Sequence, residues 1–166
     1  RSTDLIAGFS IIIEGEYEIG DTIEIDGFMG EVVFIGLRTT RIRDFKGATK
    51  IVANHYMDNI INYSLNNSLA VVDVSVSYES DAKLVEETFE KLFNRLNGNV
   101  PFATKDLELW GVNDLGDSAV VYRVVVETEP MKHFATARYL RKEIKKELDS
   151  AKIKIPYQQI EVHNGK

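Results

Sequence analysis

The sequence predicts a mixed fold: a small, strongly curved all-β unit followed by an α+β unit of order βαββαβ, the split βαβ or ferredoxin-like arrangement. Three observations predict it. Residues 16–64 hold short alternating or β-branched runs punctuated by glycine, with no helical periodicity between them. From residue 69 onward, strand patterns alternate with two long segments whose apolar residues recur at helical spacing. Between the two regions, Asn66-Asn67-Ser68 is a polar stretch suited to a linker.

The longest apolar stretch runs over residues 5–13, interrupted only by Gly8 and Ser10, close to a chain start without methionine. It is too short to cross a bilayer, and the acidic residues that follow do not fit a signal peptide, so it reads as a cut end of a strand or helix. In the first unit, residues 22–25 alternate and Asp26-Gly27 supplies a tight turn. Residues 30–35 are apolar and β-branched, and residues 37–43 form a further run in which Arg41 and Arg43 share a face and Arg38 points opposite. Asp44-Phe45-Lys46-Gly47 reads as a hairpin loop before residues 49–53. Gly20, Gly27, Gly30 and Gly47 are the structural turn residues of a small curved sheet or barrel.

In the second unit, residues 69–78 alternate, with Val72, Val74 and Val76 on one face. Ser80 or Asp81 caps a helix carrying Val85, Phe89, Leu92, Phe93 and Leu96, and Gly98 stands where a C-terminal cap belongs. Residues 107–112 and 119–127 are two strands joined by a loop over residues 113–117. Pro130 opens a helix whose stripe is Phe134, Ala137, Leu140, Ile144, Leu148 and Ala151, ending before Pro156. A last short strand is expected over residues 159–162.

Composition narrows the chemistry. A net charge of −6 argues against a surface built for polyphosphate. The absence of cysteine excludes disulfides, thiolate metal sites and cysteine nucleophiles. His55, His133 and His163 lack metal-ligand spacing, Ser64 and Ser118 lack a nucleophile-elbow pattern, and no glycine run precedes a helix as a phosphate loop would. No catalytic, cofactor or metal site is expected. Charge is segregated instead: residues 14–31 contain seven carboxylates and no base, whereas residues 132–154 contain eight bases interspersed with Glu143, Glu147 and Asp149. Pairs such as Glu143 with Lys146 and Lys145 with Asp149 fit a solvated helix face, and the segregation also fits surfaces that meet across subunits or shape an ion-facing field.

Several short motifs occur in a specific order: Asp4-Leu5-Ile6-Ala7-Gly8-Phe9, then Ile19-Gly20-Asp21 with Gly27 and Gly30, then residues 35–43 reading Ile-Gly-Leu-Arg-Thr-Thr-Arg-Ile-Arg, then Asn59-Ile60-Ile61-Asn62-Tyr63-Ser64. Together with residues 74–81 and Ile155-Pro156-Tyr157, they make nearly the whole chain resemble the small-conductance mechanosensitive channel (MscS) family, in its cytoplasmic region with the end of the last transmembrane helix. Two departures are Val52-Ala53-Asn54 where the family commonly has Ile-Pro-Asn, and Gln158 where proline usually follows the closing Pro-Tyr.

The resemblance implies residues 1–13 as the end of the pore helix, 14–66 as an Sm-like β domain and 67–166 as the ferredoxin-like domain. It implies a homoheptamer at the cell membrane, with this region in the cytoplasm enclosing a vestibule through which ions and small osmolytes pass on membrane tension. The membrane part would be missing N-terminal helices, with no enzyme activity, no cofactor and no nucleic-acid partner. Glu16, Glu18 and Glu24, with Arg141, Lys142 and Lys145, are then the candidates for ion-path electrostatics. The alternative reading of the same pattern is a soluble Sm-like or ferredoxin-like module binding RNA or a small effector.

Overall fold

In the computed structural model, which describes residues 3–8 and 16–157, the chain divides into two units, Arg1–Asn67 and Ser68–Lys166. An all-β sheet unit is followed by a β-α-β-β-α unit. The first holds β1 (Thr22–Ile25), β2 (Phe28–Ile35), β3 (Thr39–Arg43), β4 (Thr49–Ala53) and β5 (Ile61–Asn62), antiparallel in the order β4-β3-β2-β1-β5. β1 turns Ile23 and Ile25 inward. Asp26 and Gly27 both take positive φ, 50° and 78°, which a two-residue type I′ hairpin turn requires. Gly30 is not a turn residue: it lies inside β2 opposite Ile23, where a Cβ would come within 2.6 Å of the Arg43 carbonyl oxygen. A bulge between Val32 and Phe34 bends β2, and a small core forms from Tyr17, Ile23, Ile25, Val32, Ile42, Val52 and Met57.

The strand expected over residues 37–43 begins only at Thr39. The Gly36 N–H donates to the Thr39 carbonyl at 2.8 Å, so Leu37 and Arg38 form the bend between β2 and β3, and Arg38 has no strand face. Arg41 and Arg43 do share one exposed face of β3.

The second unit holds β6 (Ser68–Val76), α1 (Ala82–Leu96), β7 (Glu108–Leu115), β8 (Val120–Thr128) and α2 (His133–Ser150), with the sheet antiparallel in the order β6-β8-β7. Asp81 caps α1 by accepting from the Lys83 N–H, and Gly98 follows the helix at φ 86°. Both helices bury their stripes against one face of the sheet. Val72, Val74, Val76, Tyr122, Val124 and Val126 from the strands meet Val85, Phe89, Leu92 and Leu96 of α1 and Ala137, Leu140, Ile144 and Leu148 of α2.

Three expectations need correction. The loop between β7 and β8 is not residues 113–117: β7 continues to Leu115, and the Gly116 N–H donates to the Ala119 carbonyl to close a shorter turn. Bulges at Leu109/Gly111 and Val112/Asp114 carry the polar residues along an exposed edge strand. Pro130 does not open α2. It occupies a turn closed by Lys132 N–H to Glu129 C=O, with Met131 at φ 64°, and the helix starts at His133. Phe134, although inside the helix, is 49% exposed and not part of the buried stripe, and Thr136 is buried instead, donating to the Pro101 carbonyl at 2.8 Å. The strand expected over residues 159–162 lies outside the described residues.

Candidate functional site

Residues 3–8 are helical, and the sequence gives that turn two inward positions, Asp4 and Gly8, one helical turn apart on the same face. Both meet the 3-10 turn Asn54–Tyr56 that follows β4. Asp4 is 7% exposed, and its Oδ1 accepts from the His55 backbone N–H at 3.4 Å and from the His55 imidazole Nδ1. At Gly8 any side chain is excluded, because a Cβ would lie 2.5 Å from Asn54 Nδ2 and 3.2 Å from the Leu37 carbonyl.

Asn54 cannot yield, because it is held on several sides. Its Nδ2 donates to the Gly36 carbonyl at 2.9 Å, its backbone N–H donates to Arg38 at 2.8 Å, and its Oδ1 accepts from the Thr40 hydroxyl at 2.9 Å. Thr40 has then used its only proton, so the Tyr17 hydroxyl is the donor in the 2.9 Å contact between them. Burial is the main cause that pushes the Tyr17 phenol up. Truncating Asn54 would strand the Thr40 hydroxyl and the Gly36 carbonyl, at about 1–3 kcal/mol for each buried group left unpaired.

The His55 hydrogen bond is the main reason the Asp4 carboxyl sits below its ordinary value, working against desolvation. A depressed folded-state value means that the Asp4 contribution is fully present above the ordinary carboxylate range and is lost as pH falls through the lowered value. The Asp4 side-chain carboxyl carbon shift is therefore expected to hold its ionised position through the ordinary carboxylate range and to move only below it. The Asp4→Asn variant should lack that acid transition. An Asp4 carboxyl resonance that titrates above the ordinary carboxylate range would contradict the assignment.

The charged candidates fall into two groups. In the first unit, the Glu16 carbonyl accepts from Asn62 Nδ2 at 3.0 Å, and Asn62 also donates to Asp21, whose same carboxylate oxygen accepts from the Glu18 N–H. Glu16 and Glu18 thus share one hydrogen-bonded corner. Glu24 stands apart on β1, half-buried, where it accepts from the Tyr63 hydroxyl at 3.1 Å and so pushes that phenol up. In the second unit, Lys145 bonds both oxygens of Asp149 at 2.7 and 2.6 Å, and Lys146 lies 3.9 Å from Glu143. Glu143 and Glu147 are also held by Arg95 of α1, at 3.3 and 3.2 Å, which ties the helices together. Arg138, Arg141 and Lys142 are exposed and make no ion pair among the described residues.

Among the described residues no group of three or more His, Asp or Glu side chains could hold a metal ion. His163 lies outside them. Sequence reasoning missed the fastening of Asp4 to His55. Asp4 and Gly8 do show the spacing of one helical face, but their partners lie about fifty positions away, with no local pattern to point to them.

Comparison with known proteins adds the following. The family model described as "Mechanosensitive ion channel, beta-domain" matches residues 2–65, and that described as "Mechanosensitive ion channel MscS, C-terminal" matches residues 70–155. The chain is similar to a small-conductance mechanosensitive channel of Caldanaerobacter subterraneus subsp. tengcongensis, at 30% identity over 93% of this chain and 55% of that protein. It is similar to an uncharacterized MscS family protein of Archaeoglobus fulgidus, at 29% identity over 94% of this chain and 55% of that one. The chain thus spans about half the length of these relatives. In fold it resembles the closed-state crystal structure of Helicobacter pylori MscS, with a TM-score of 0.82 at 24% identity over 99% of this chain and 66% of that one.

Proposed function

The chain belongs to the MscS family of mechanosensitive ion channels, and on that premise we propose that it forms the cytoplasmic vestibule of such a channel, passing ions and small osmolytes when membrane tension opens the pore. The observation that carries the reading is the fastening of helical residues 3–8 to the β unit through Asp4 and Gly8. In this reading that helix is the end of the pore-lining segment, so the β unit and the pore wall move together. No helix among the described residues is long and apolar enough to cross a membrane. The sensing and pore-forming roles are accordingly assigned to the part of its relatives that this chain does not span. A module for RNA or a small effector is not favoured, since both units match channel-family models in order.

The vestibule is proposed to be a heptamer. β4 and β5 are the edges of the first sheet, and a ring is one way to cover open edges without leading to unlimited growth. Analytical ultracentrifugation of the chain is expected to show a concentration-dependent heptamer. A strictly monomeric profile at high micromolar concentration would remove autonomous ring assembly from the reading.

Exposed charges act over about a Debye length, roughly 8–10 Å, so vestibule charges reach ions passing close by and not a helix held within the bilayer. Neutralising Glu16, Glu18 and Glu24 together, or Arg141, Lys142 and Lys145 together, is expected to move the reversal potential in asymmetric salt and leave the pressure threshold in place. The effect should shrink as salt rises. Within the basic set, Arg141 and Lys142 should dominate, because Asp149 already compensates Lys145. Patch recordings with a moved threshold and an unchanged reversal potential for both sets would overturn this division of labour.

A further inference from the structure

Beyond the vestibule reading, we propose that the tip of the β3–β4 hairpin, residues 44–47, is a lipid-contact loop that rests on an anionic phospholipid surface. Phe45 at this tip is 94% exposed, the highest value among the large apolar side chains described. A single exposed phenylalanine is common and by itself needs no explanation. What sets this one apart is that the loop is built to hold it outward. The Asp44 carboxylate accepts from the Lys46 N–H at 3.0 Å and the Ala48 N–H at 2.9 Å, the Asp44 N–H donates to the Ala48 carbonyl, and the Gly47 N–H returns to the Asp44 carbonyl. Gly47 takes φ 94°, a conformation that glycine adopts without strain, and so completes the turn. These bonds fix the backbone that carries Phe45 at the tip of the hairpin.

The second half of the argument is charge. The Lys46 ammonium lies 5.6 Å from the Phe45 ring centroid. Arg43 ends β3 and faces one side of the hairpin. Lys50 stands opposite Ile42 in the register, one position away from the Arg43–Thr49 pair, and so projects from the other side. Arg43, Lys46 and Lys50 make no ion pair among the described residues. Glu31 is the cross-strand neighbour of Arg43 but forms no ion pair with it, and Asp44 is turned into the loop to bond its amides. An otherwise acidic chain thus presents one exposed apolar ring at this tip, with Lys46 beside it and Arg43 and the half-buried Lys50 on the two faces of the hairpin behind it. Apolar burial at the acyl boundary with cations at the phosphates is the chemistry of an anionic bilayer surface. Lysine and arginine stems can lie along such a boundary with their charged ends in the headgroups.

The test is co-sedimentation of the chain with vesicles of phosphatidylcholine alone and of phosphatidylcholine mixed with phosphatidylglycerol. The chain is expected to bind only the anionic vesicles, and to be released as salt is raised from about 0.1 M to about 1 M, where the Debye length falls to roughly 3 Å. Phe45→Ser should lower binding by about tenfold or more, the loss expected when a buried phenyl no longer contributes. Lys46→Glu should lower it at least as far. Neither change should shift the melting temperature, because both side chains face solvent. In a Trp110→Phe background, Phe45→Trp places the only indole at the tip, and its emission should shift to the blue with anionic vesicles. Failure of the unmodified chain to bind anionic vesicles, or binding that Phe45→Ser leaves intact, overturns the proposal. It is equally overturned if the vesicles are ignored and Phe45→Ser instead abolishes binding to a single-stranded oligonucleotide or self-association of the chain, which would assign the ring to base stacking or to a second copy.

Discussion

Gly30→Val is expected to destabilise the first unit by about 3 kcal/mol, within the range of severe single-site effects. Valine is a better strand residue than glycine, and that preference alone favours the substitution by up to about 1 kcal/mol. Packing decides against it. A Cβ at this position would lie 2.6 Å from the Arg43 carbonyl oxygen, 2.7 Å from the Arg43 carbonyl carbon and 2.9 Å from Ile42 Cγ2. Two of these atoms are backbone of β3, which is held by its pairing to β2 and β4 and cannot move aside alone. Relief requires displacing β3, and Ile42 on that strand is wholly buried in a core of only seven residues. Gly30→Ala should therefore already lower stability, since the first carbon makes the clash. For a unit of this size, 3 kcal/mol corresponds to a fall in melting temperature of roughly 12–24 °C. The reporter must sit in the first unit, because the sole tryptophan, Trp110, is in the second. Methyl resonances of Ile23 and Ile42 serve. A melting point within about a degree of the parent's would show that β3 adjusts freely, and that the close approach is not what keeps this position glycine.

What could be read from the sequence was what local chemistry decides. Alternation over residues 22–25, the Asp26-Gly27 turn, the Asp81 cap and Gly98 after α1 each depend on neighbours within a few positions, and the structure has them as expected. The errors occurred where local chemistry pointed the wrong way. Asn113 and Asp114 are turn formers in composition, yet they belong to β7, because an edge strand with one side in water tolerates polar residues and bulges. Leu37 and Arg38 carry no turn signal, but their bend is closed by a backbone hydrogen bond from Gly36. Pro130 is a helix-start signal, whereas Met131 in the left-handed region makes a turn first and the helix begins at His133; its stripe keeps Ala137, Leu140, Ile144 and Leu148 and leaves out Phe134.

The candidate site divides in the same way. The acidic and basic stretches were visible by counting, but which bases are already compensated was not, since the Arg95 contacts to Glu143 and Glu147 join residues about fifty positions apart. The junction of Asp4 with His55 has the same sequence separation, and only the return of the chain through β4 brings the two together. Network residues such as Thr40 and Asn54 look like ordinary polar residues until their burial is known, at 0% and 2% exposed. Burial turns their hydrogen bonds from optional to obligatory, because water cannot replace a missing partner.

Truncating the core of the second unit gives the other large expected effect. Phe89→Ala should cost about 3–5 kcal/mol and Ile144→Ala about 2–5 kcal/mol, through lost burial and the cavity left behind. Phe89 is 1% exposed and Ile144 3%, one on each helix, and both belong to the cluster that includes Tyr122 and Val124 of the central strand β8. Phe89 should be the costlier of the two. Its ring stands 5.9 Å from the Tyr122 ring and 6.1 Å from the Phe93 ring, both tilted, so truncation removes two aromatic contacts as well as area. Partial collapse of neighbours into the space would move each value toward the lower end of its range. Trp110 on β7 is 58% exposed and packs outside this core, so denaturation is better followed by far-UV circular dichroism and by methyl resonances of Leu140 and Val124. Because the helices cover the same sheet, the double variant should depart from the sum of the singles if their cavities merge, and add if they remain separate. Nearly unchanged midpoints for both single variants would mean that the two stripes do not share a core. In that case the apolar periodicity of α1 and α2, from which the second unit's architecture was inferred, would have to be explained by some other surface.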